Sequence, residues 1–338
     1  MGPSDPDGIF GRTPRVSRPA VGLIVNPAAG RDIRRLVGAA SVMPHHEKAA
    51  IVRRALLGLE AVGVDTILHL NDGVGIVAAA MDGQRTGVRL QALPIRPEGR
   101  AADSVEAARQ LAAAGVGAII TLGGDGTNRA VASGCGTVPL VAISTGTNNV
   151  FPAMVEATAA GLAAGLVATG QVDVDAVAPR AKWVEVDAGG AHDVALVDAA
   201  ACRDRFRGAA AIWDPGRIIA VVLSRAEPWA VGLSSIGGRL RPVLADEPGG
   251  LYLELGEGTR VRALLAPGLV LEVGVRACRR LQPGEEVTLD AGDGTIALDG
   301  ERELPAHGPA VARVTLGGPR LVDVRRVLAA TAARGRRP

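Results

Sequence analysis

The sequence predicts an α/β protein in two parts: a parallel, doubly wound N-terminal domain and a β-rich C-terminal domain of antiparallel-sandwich type. Three observations carry this. Over residues 20–169 short apolar runs alternate with stretches of helical spacing, the pattern of a parallel sheet with helices on both faces. After Gly170 strand-length runs follow one another, several separated by Pro/Gly turns. The 338 residues also exceed what a single typical core supports. The expected division is an arm at 1–19, an α/β domain at 20–150, a connecting helix at 151–170, a sandwich at 171–320, and a helix with a basic tail at 321–338.

Taken in order, Val21 to Val25 is an apolar run fit for a buried strand, closed by the turn Asn26-Pro-Ala-Ala-Gly-Arg31. Glu47 to Glu60 places Val52, Leu56 and Leu59 at helical spacing. Thr66 to Leu70 and Val88 to Leu93 read as strands. Between them Gly73-Val-Gly75-Ile-Val-Ala78 has the form of a dinucleotide fingerprint, but no acidic residue ends the strand after it, so an ordinary turn is expected. A helix over about 101–114 leads into Ile119 to Leu122, and Pro139 to Ser144 is a further strand before an Ala-rich helix over 154–168. In the second half, Trp183 to Asp187, Arg217 to Leu223, Leu251 to Leu255 and Val261 to Leu265 have strand length. Val287 to Asp290 and Thr295 to Leu298 look like a hairpin across Ala-Gly-Asp-Gly. A last helix over 321–333 is expected to return to the first domain, and no internal repeat is visible.

Composition limits the function. Aromatic residues make up 2% of the chain, so small and aliphatic side chains must fill the cores. The formal charge of +2 argues against a nucleic-acid or membrane partner. Only Lys48 and Lys182 are lysines, which argues against a lysine-based phosphate clamp. Three widely spaced cysteines fit a reducing cytoplasm. The five histidines have no metal-ligand spacing, and His45-His46 reads as a solvated helix start. No signal peptide precedes the first strand, and the most apolar stretch falls short of the ~20 residues needed to span a bilayer.

The chemistry concentrates in Ala118 to Asn128, AIITLGGDGTN. Gly123 and Gly124 stop a buried strand; they permit positive φ and allow close approach of a ligand. Thr127 is expected to cap a helix running to Ser133, with the helix's N–H groups and positive dipole end facing one spot. That is an anion cradle, lined by Gly123, Gly124, Gly126, Thr127 and Asn128. Asp125 would repel a phosphate there unless it handles a metal ion or takes a proton from an attacking hydroxyl. Thr145, Gly146, Thr147, Asn148 and Asn149 form a second polar loop suited to phosphate and ribose oxygens. Both loops and Asn26 lie just past strand C-termini, where ligands bind in parallel sheets.

GGDGT at 123–127, with NPAAGR at 26–31, resembles the superfamily of NAD kinases, diacylglycerol kinases and sphingosine kinases; phosphofructokinases share a related loop. Ala195-Leu-Val-Asp198 looks like the NAD-kinase ALNE/ALND segment, Ser234 to Arg239 like the glycine-rich piece after it, and Leu298-Asp-Gly-Glu301 like the late DG(Q/E) element. The wording of the N-terminal half is most similar to the acetoin-catabolism protein X branch, described as ATP-NAD-kinase-like. The resemblance implies an NAD kinase-like fold and an ATP- and Mg²⁺-dependent phosphotransferase with NAD as the leading acceptor. Asp125 would be the base or metal-handling acid. Asn26, Gly30 and Arg31 would line the nucleotide pocket, and Asp198 would bind a ribose or nicotinamide-side group. Ser144 stands where NAD kinases carry Asn, Val197 replaces the Asn of ALND, and Asn148 and Val150 replace the second Gly and the Asp of the diacylglycerol-kinase loop. A lipid kinase and a non-catalytic nucleotide-binding accessory protein are the alternatives. Expected partners are a small-molecule nucleotide and further copies of the chain, with no nucleic acid and no membrane.

Overall fold

A computed structural model of the chain describes residues 19–30, 39, 42–83, 86–204, 214–300, 302–305 and 308–332. Residues 1–18 of the expected N-terminal arm and the basic tail at 333–338 lie outside these residues.

The first half alternates strand and helix throughout. In order it contains β1 (Ala20–Val25), α1 (His45–Glu60), β2 (Thr66–His69), α2 (Ile76–Met81), β3 (Arg89–Ala92), α3 (Ala101–Ala114), β4 (Ala118–Gly123), α4 (Asp125–Ala132), β5 (Leu140–Ser144), α5 (Ala157–Ala168) and α6 (Val174–Val177). The five strands form one parallel sheet in the order β3-β2-β1-β4-β5. Period-two alternation divides their side chains between two cores. Val21, Leu23 and Val25 of β1 join Ile120 and Leu122 of β4 beneath α1, α2 and α5. Ile24 and Ile119 point the other way, against Leu111 of α3 and Val131 of α4. Both faces are thus covered, which is why the strands read as unbroken apolar runs.

The connecting helix differs from the sequence reading. The Ala-rich helix begins at Ala157 rather than Met154, with Glu156 as its N-cap, accepting from the Ala159 N–H at 3.0 Å. The chain just before it is used differently. Ala153 pairs beside Ile143, donating to the Ala142 carbonyl and accepting from the Ser144 N–H, and so covers the outer edge of β5. The same edge receives the C-terminal segment, where Leu321 bridges to Leu140. From there α8 (Val324–Ala332) packs Val324 and Val327 into the core beneath α5. The last helix therefore does return to the first half.

The second half contains β6 (Trp183–Ala188), β7 (Ala191–Ala195), β8 (Asp198–Cys202), β9 (Ile218–Leu223), α7 (Leu233–Leu240), β10 (Gly250–Ala266), β11 (Leu269–Leu281), β12 (Glu286–Leu289), β13 (Thr295–Leu298), β14 (Arg302–Pro305) and β15 (Ala310–Thr315). They form a six-stranded sheet, β11-β10-β9-β8-β13-β14, and a four-stranded sheet, β12-β15-β6-β7, both antiparallel. The runs at 251–255 and 261–265 are one long strand, β10, with register shifts over residues 254–259. It turns back through Pro267-Gly268 into β11.

The expected hairpin at 287–298 is not one. β12 pairs with β15, whereas β13 lies between β8 and β14 in the other sheet. The Ala-Gly-Asp-Gly segment carries the chain from one sheet to the other, so Leu289 and Ile296 meet across the shared core instead of side by side. Burial shows the difference: alternate residues of β12 are exposed, while all four of β13 are buried.

Candidate functional site

The strand order reverses between β1 and β4: β2 and β3 lie to one side, β5 to the other. Such a switch point leaves a crevice at the carboxyl ends of the central strands, because the following connections diverge to opposite faces. A cavity of about 530 Å³ lies there. Its wall includes Asn26 and Gly30 after β1, Gly124, Gly126 and Thr127 after β4, and Gly146, Thr147, Asn148 and Asn149 after β5.

Direct contacts hold these loops together. Asn26 donates from Nδ2 to Thr127 Oγ1 at 2.8 Å, and its backbone N–H reaches the Leu122 carbonyl at 3.0 Å. Thr145 donates its N–H to the Gly123 carbonyl at 3.4 Å. A Cβ on Gly30 would stand 3.1 Å from the Thr145 carbonyl, so the first and third loops also touch. Lys48, fully buried on α1, donates from Nζ to the carbonyls of Asn26, Pro27 and Ala29. It shapes the first loop from behind. Arg31 lies outside the described residues.

The glycines at 123 and 124 are required by space and not by backbone conformation. Neither has positive φ, and Gly124 is extended at φ −99°, ψ −168°. A Cβ on Gly123 would meet the Thr127 side chain at 2.5 Å, and one on Gly124 would meet Asn149 Oδ1 at 2.6 Å. Thr127 is not the cap. Gly124 occupies that position and α4 begins at Asp125, which puts a carboxylate on the first turn, where the helix dipole favours it. Asn128 sits wholly behind the wall, accepting from Thr121 Oγ1 at 2.6 Å and donating to the Gly124 carbonyl at 2.8 Å, which fixes the turn.

Asp125 itself does not line the cavity. Its Oδ1 accepts the N–H groups of Val150 at 3.1 Å and Phe151 at 2.8 Å, and Oδ2 shares the Val150 N–H at 3.1 Å. The carboxylate thereby binds the start of α4 to the end of the third loop. That loop is closed on itself by Ser144, whose Oγ donates to the Gly146 carbonyl and accepts from Asn149 Nδ2, both at 2.8 Å. Asp198 is also absent from the cavity wall and buried at the start of β8. Its backbone N–H lies 3.4 Å from Asp299 Oδ1.

Several residues at the site escaped the sequence reading. Asp72 lines the cavity and accepts the N–H groups of Val74, Ile76 and Val77 at 2.9–3.0 Å. Burial alone would raise its carboxyl, but those N–H groups outweigh it and hold it below the usual range. A carboxylate thus occupies the place at the start of α2 that a pyrophosphate would need, and Gly73 to Gly75 form a bend leading into that helix. Asp103 similarly gathers the N–H groups of Glu98, Gly99 and Arg100 on another part of the wall.

A line of buried charge runs behind the wall. Arg129 of α4 approaches Asp299 with Nε 3.5 Å from Oδ2, and their side chains are 10% and 0% exposed. Asp299, held at φ +51°, also receives the N–H groups of Leu196 and Val197 at 3.0 and 2.8 Å. Burial pushes its carboxyl up, against the pull of Arg129 and these N–H groups. Arg225 stacks its guanidinium 5.3 Å from the centre of the Phe151 ring; burial lowers its pKa against the opposing charges of Glu227, Asp125 and Asp299. The signal for Asp299 was its place in the late DG element; nothing in the sequence singled out Arg225.

Whether a nucleotide and its metal suit this site can be judged from the donors present. On the cavity wall Asn148 Oδ1 is without a hydrogen-bond partner among the described residues, as expected where a hydroxyl-rich ligand completes the bonding. Thr145 Oγ1 is also unpartnered there but does not line the cavity. Among the described residues no group of three or more His, Cys, Asp or Glu side chains could hold a metal ion by itself. The donor set therefore fits Mg²⁺ only as an ion carried on phosphate oxygens.

Comparison with known proteins agrees with this architecture. Residues 21–172 match the family model of the ATP-NAD kinase N-terminal domain, and residues 182–318 match that of the acetoin catabolism protein X C-terminal domain. A parallel sheet with a glycine-rich loop at its switch point, followed by paired antiparallel sheets, thus has the kinase-like fold. Acetoin catabolism protein X of Cupriavidus necator is 42% identical over 307 residues, covering 86% of this chain and 85% of its own. The chain belongs to the acetoin catabolism protein X family. Among solved structures, an NAD kinase from Archaeoglobus fulgidus in complex with ATP aligns with TM-score 0.45 and 9% identity over 94% of this chain and 98% of its own. A candidate diacylglycerol kinase from Bacillus anthracis aligns with TM-score 0.44 and 15% identity over 93% and 98%. No described helix is long and apolar enough to cross a membrane.

Proposed function

We propose that this chain is an ATP-dependent phosphotransferase that phosphorylates a hydroxyl of a small nucleotide, with NAD the leading acceptor. The observation that carries this is the convergence of Asn26, the Gly124–Thr127 turn and the Gly146–Asn149 loop around one cavity at the switch point. The first turn of α4 would receive phosphate oxygens through its N–H groups, and Mg²⁺ carried by the nucleotide would offset their charge. The acceptor oxygen would form the new bond to the terminal phosphorus as the bond to the ADP oxygen breaks. Asp125, the expected base, would take the hydroxyl proton; a carboxylate offers about four lone-pair sites, so the N–H groups of Val150 and Phe151 do not by themselves remove its basicity. The name of the Cupriavidus necator relative, acetoin catabolism protein X, supports a link to acetoin breakdown.

One observation favours a second reading. Asp125 is turned toward backbone N–H groups and is not on the cavity wall, as in a protein that binds nucleotide without turning it over. A turnover screen with ATP and Mg²⁺ over NAD, NADH, acetoin-related diols and diacylglycerol separates the two. Formation of NADP is the expected result. Nucleotide-dependent thermal stabilisation with no product on any acceptor would replace the enzyme by a nucleotide-binding accessory protein.

A further inference from the structure

Arg129 has a property that the nucleotide reading does not use. Its side chain is nine-tenths buried, its one ion pair among the described residues is with Asp299, and Nη1 has no hydrogen-bond partner there. A buried guanidinium with an orphaned donor is costly unless something else accepts from it. Its counter-charge is also shared, since the Asp299 oxygens already receive backbone N–H groups from Leu196 and Val197.

Arg129 stands between two cavities. Besides the larger one, a second cavity of about 370 Å³ lies against α3 and α4. The two share Ala101, Arg129 and Ala130 as wall. The smaller is otherwise lined by Ala102, Val105, Glu106, Arg109 and Ser133, and by Asp193 from β7. Its two carboxylates each place one oxygen in a local hydrogen bond, Glu106 Oε1 accepting from Gln110 Nε2 at 2.9 Å and Asp193 Oδ1 accepting the Val194 N–H at 2.8 Å. Their charges offset part of the arginines' pull on an anion. The space is concave, adjoins the proposed phosphate cradle, and has two arginines as donors; the Ser133 hydroxyl donates to the Arg129 carbonyl at 3.1 Å.

We infer that the smaller cavity is an oxyanion subsite centred on Arg129, taking the phosphate or carboxylate of a second small molecule beside the nucleotide. A guanidinium suits this because its planar fork matches both groups with two parallel hydrogen bonds. Calling that molecule the acceptor rests on the phosphotransferase reading, and its class is then a hydroxyl-bearing anion rather than a neutral diol or a lipid. Binding of an oxyanion there does not rest on that reading.

The test is calorimetric titration of the full chain with inorganic phosphate and, separately, with malonate, each with and without saturating ADP. Arg129→Gln removes the charge; Ala102→Trp fills the smaller cavity from an exposed position that does not line the larger one. The expected result is that at least one probe binds the wild type with ADP present, and that each substitution weakens it by about tenfold or more, the scale of losing a buried charged partner. Ala102→Trp should leave ADP affinity unchanged. Tighter binding of phosphate than of malonate assigns the subsite to a phosphorylated ligand, and the reverse to a carboxylate. If Arg129→Gln fails to fold, Ala102→Trp decides. Wild-type probe affinity in Ala102→Trp, or no binding of either probe to the wild type at millimolar concentration, overturns the subsite. Failure of ADP to bind, with the probe still sensitive to both substitutions, would instead remove the nucleotide reading and leave the subsite standing.

Discussion

Asp125 is where two demands meet on one side chain. As a hydrogen-bond acceptor it joins α4 to the residues after β5; as a proposed base it must face an attacking hydroxyl. Asp125→Asn separates them. The amide keeps the size of the carboxylate, and its oxygen in the place of Oδ1 can still accept both N–H groups. Only the shared Val150 bond to Oδ2 and the charge are lost, at about 0.5–1.5 kcal/mol. On the catalytic reading phosphoryl transfer per folded molecule should also fall by roughly 10²–10⁴-fold, the scale of general acid–base catalysis. Melting temperature and single-turnover rate, measured on the same preparation, give the answer. A lower melting temperature with an undiminished rate would make Asp125 a purely structural residue. The sequence pointed to this residue because an acid inside a glycine-rich turn is chemically odd. It could not reveal the carboxylate's orientation, which is set by Val150 and Phe151, 25 and 26 positions away.

At the scale of elements, the first half was legible because each strand and helix carries its own periodicity, and a parallel sheet orders them with few choices. The second half was less so. Glu286–Leu289 and Thr295–Leu298 have the lengths and turn residues of a hairpin, and only the partners Ala310–Thr315 and Asp198–Cys202, distant in sequence, decide otherwise. Likewise Gly123 and Gly124 were recognisable as necessary, but the reason, crowding by Thr127 and Asn149, belongs to packing. Helix α5 shows the same principle away from the site. Gly161 faces α1 so closely that a Cβ would run into the Ala55 carbonyl, and Gly58 of α1 in turn faces the Thr158 carbonyl. The atoms met are backbone and cannot rotate away. Gly161→Ala should therefore destabilise the protein by about 1–3 kcal/mol despite the better helix propensity of alanine, because two helices must move apart. Denaturant unfolding measures this directly; a neutral or stabilising effect would show that the α1–α5 contact is looser than the structure has it.

At the scale of the whole molecule, the two halves are joined by charge as well as by chain. Arg129 stands on α4, while Asp299 follows β13 and also holds the backbone of the segment leading into β8. Asp125 of α4 and Arg225, after β9, are the second pair of opposite charges in the same region. Buried pairs of this kind contribute little net stability when formed, since desolvation offsets attraction, but removing one partner strands the other. Asp299→Asn leaves Arg129 without its counter-charge, and a loss of about 3–5 kcal/mol is expected on that account. Arg129→Gln leaves a buried carboxylate that can escape by taking a proton, which its already raised pKa makes easier, so its cost should be smaller and should shrink as pH falls. The double substitution removes both charges, and its loss should fall short of the sum of the singles by about 1–3 kcal/mol. Urea unfolding of the four proteins, followed by one probe in each half, tests both the coupling and its location. Trp183 can report on the four-stranded sheet; the first half has no tryptophan, and a Leu90→Trp substitution on β3 of all four supplies one. If Asp299 joins the halves, Asp299→Asn should separate the two probes into distinct transitions, and the double variant should bring them back together. Additive losses with coincident transitions in every variant would mean that the pair merely sits at the boundary, and that the apolar packing of α5 and α8 holds the halves together.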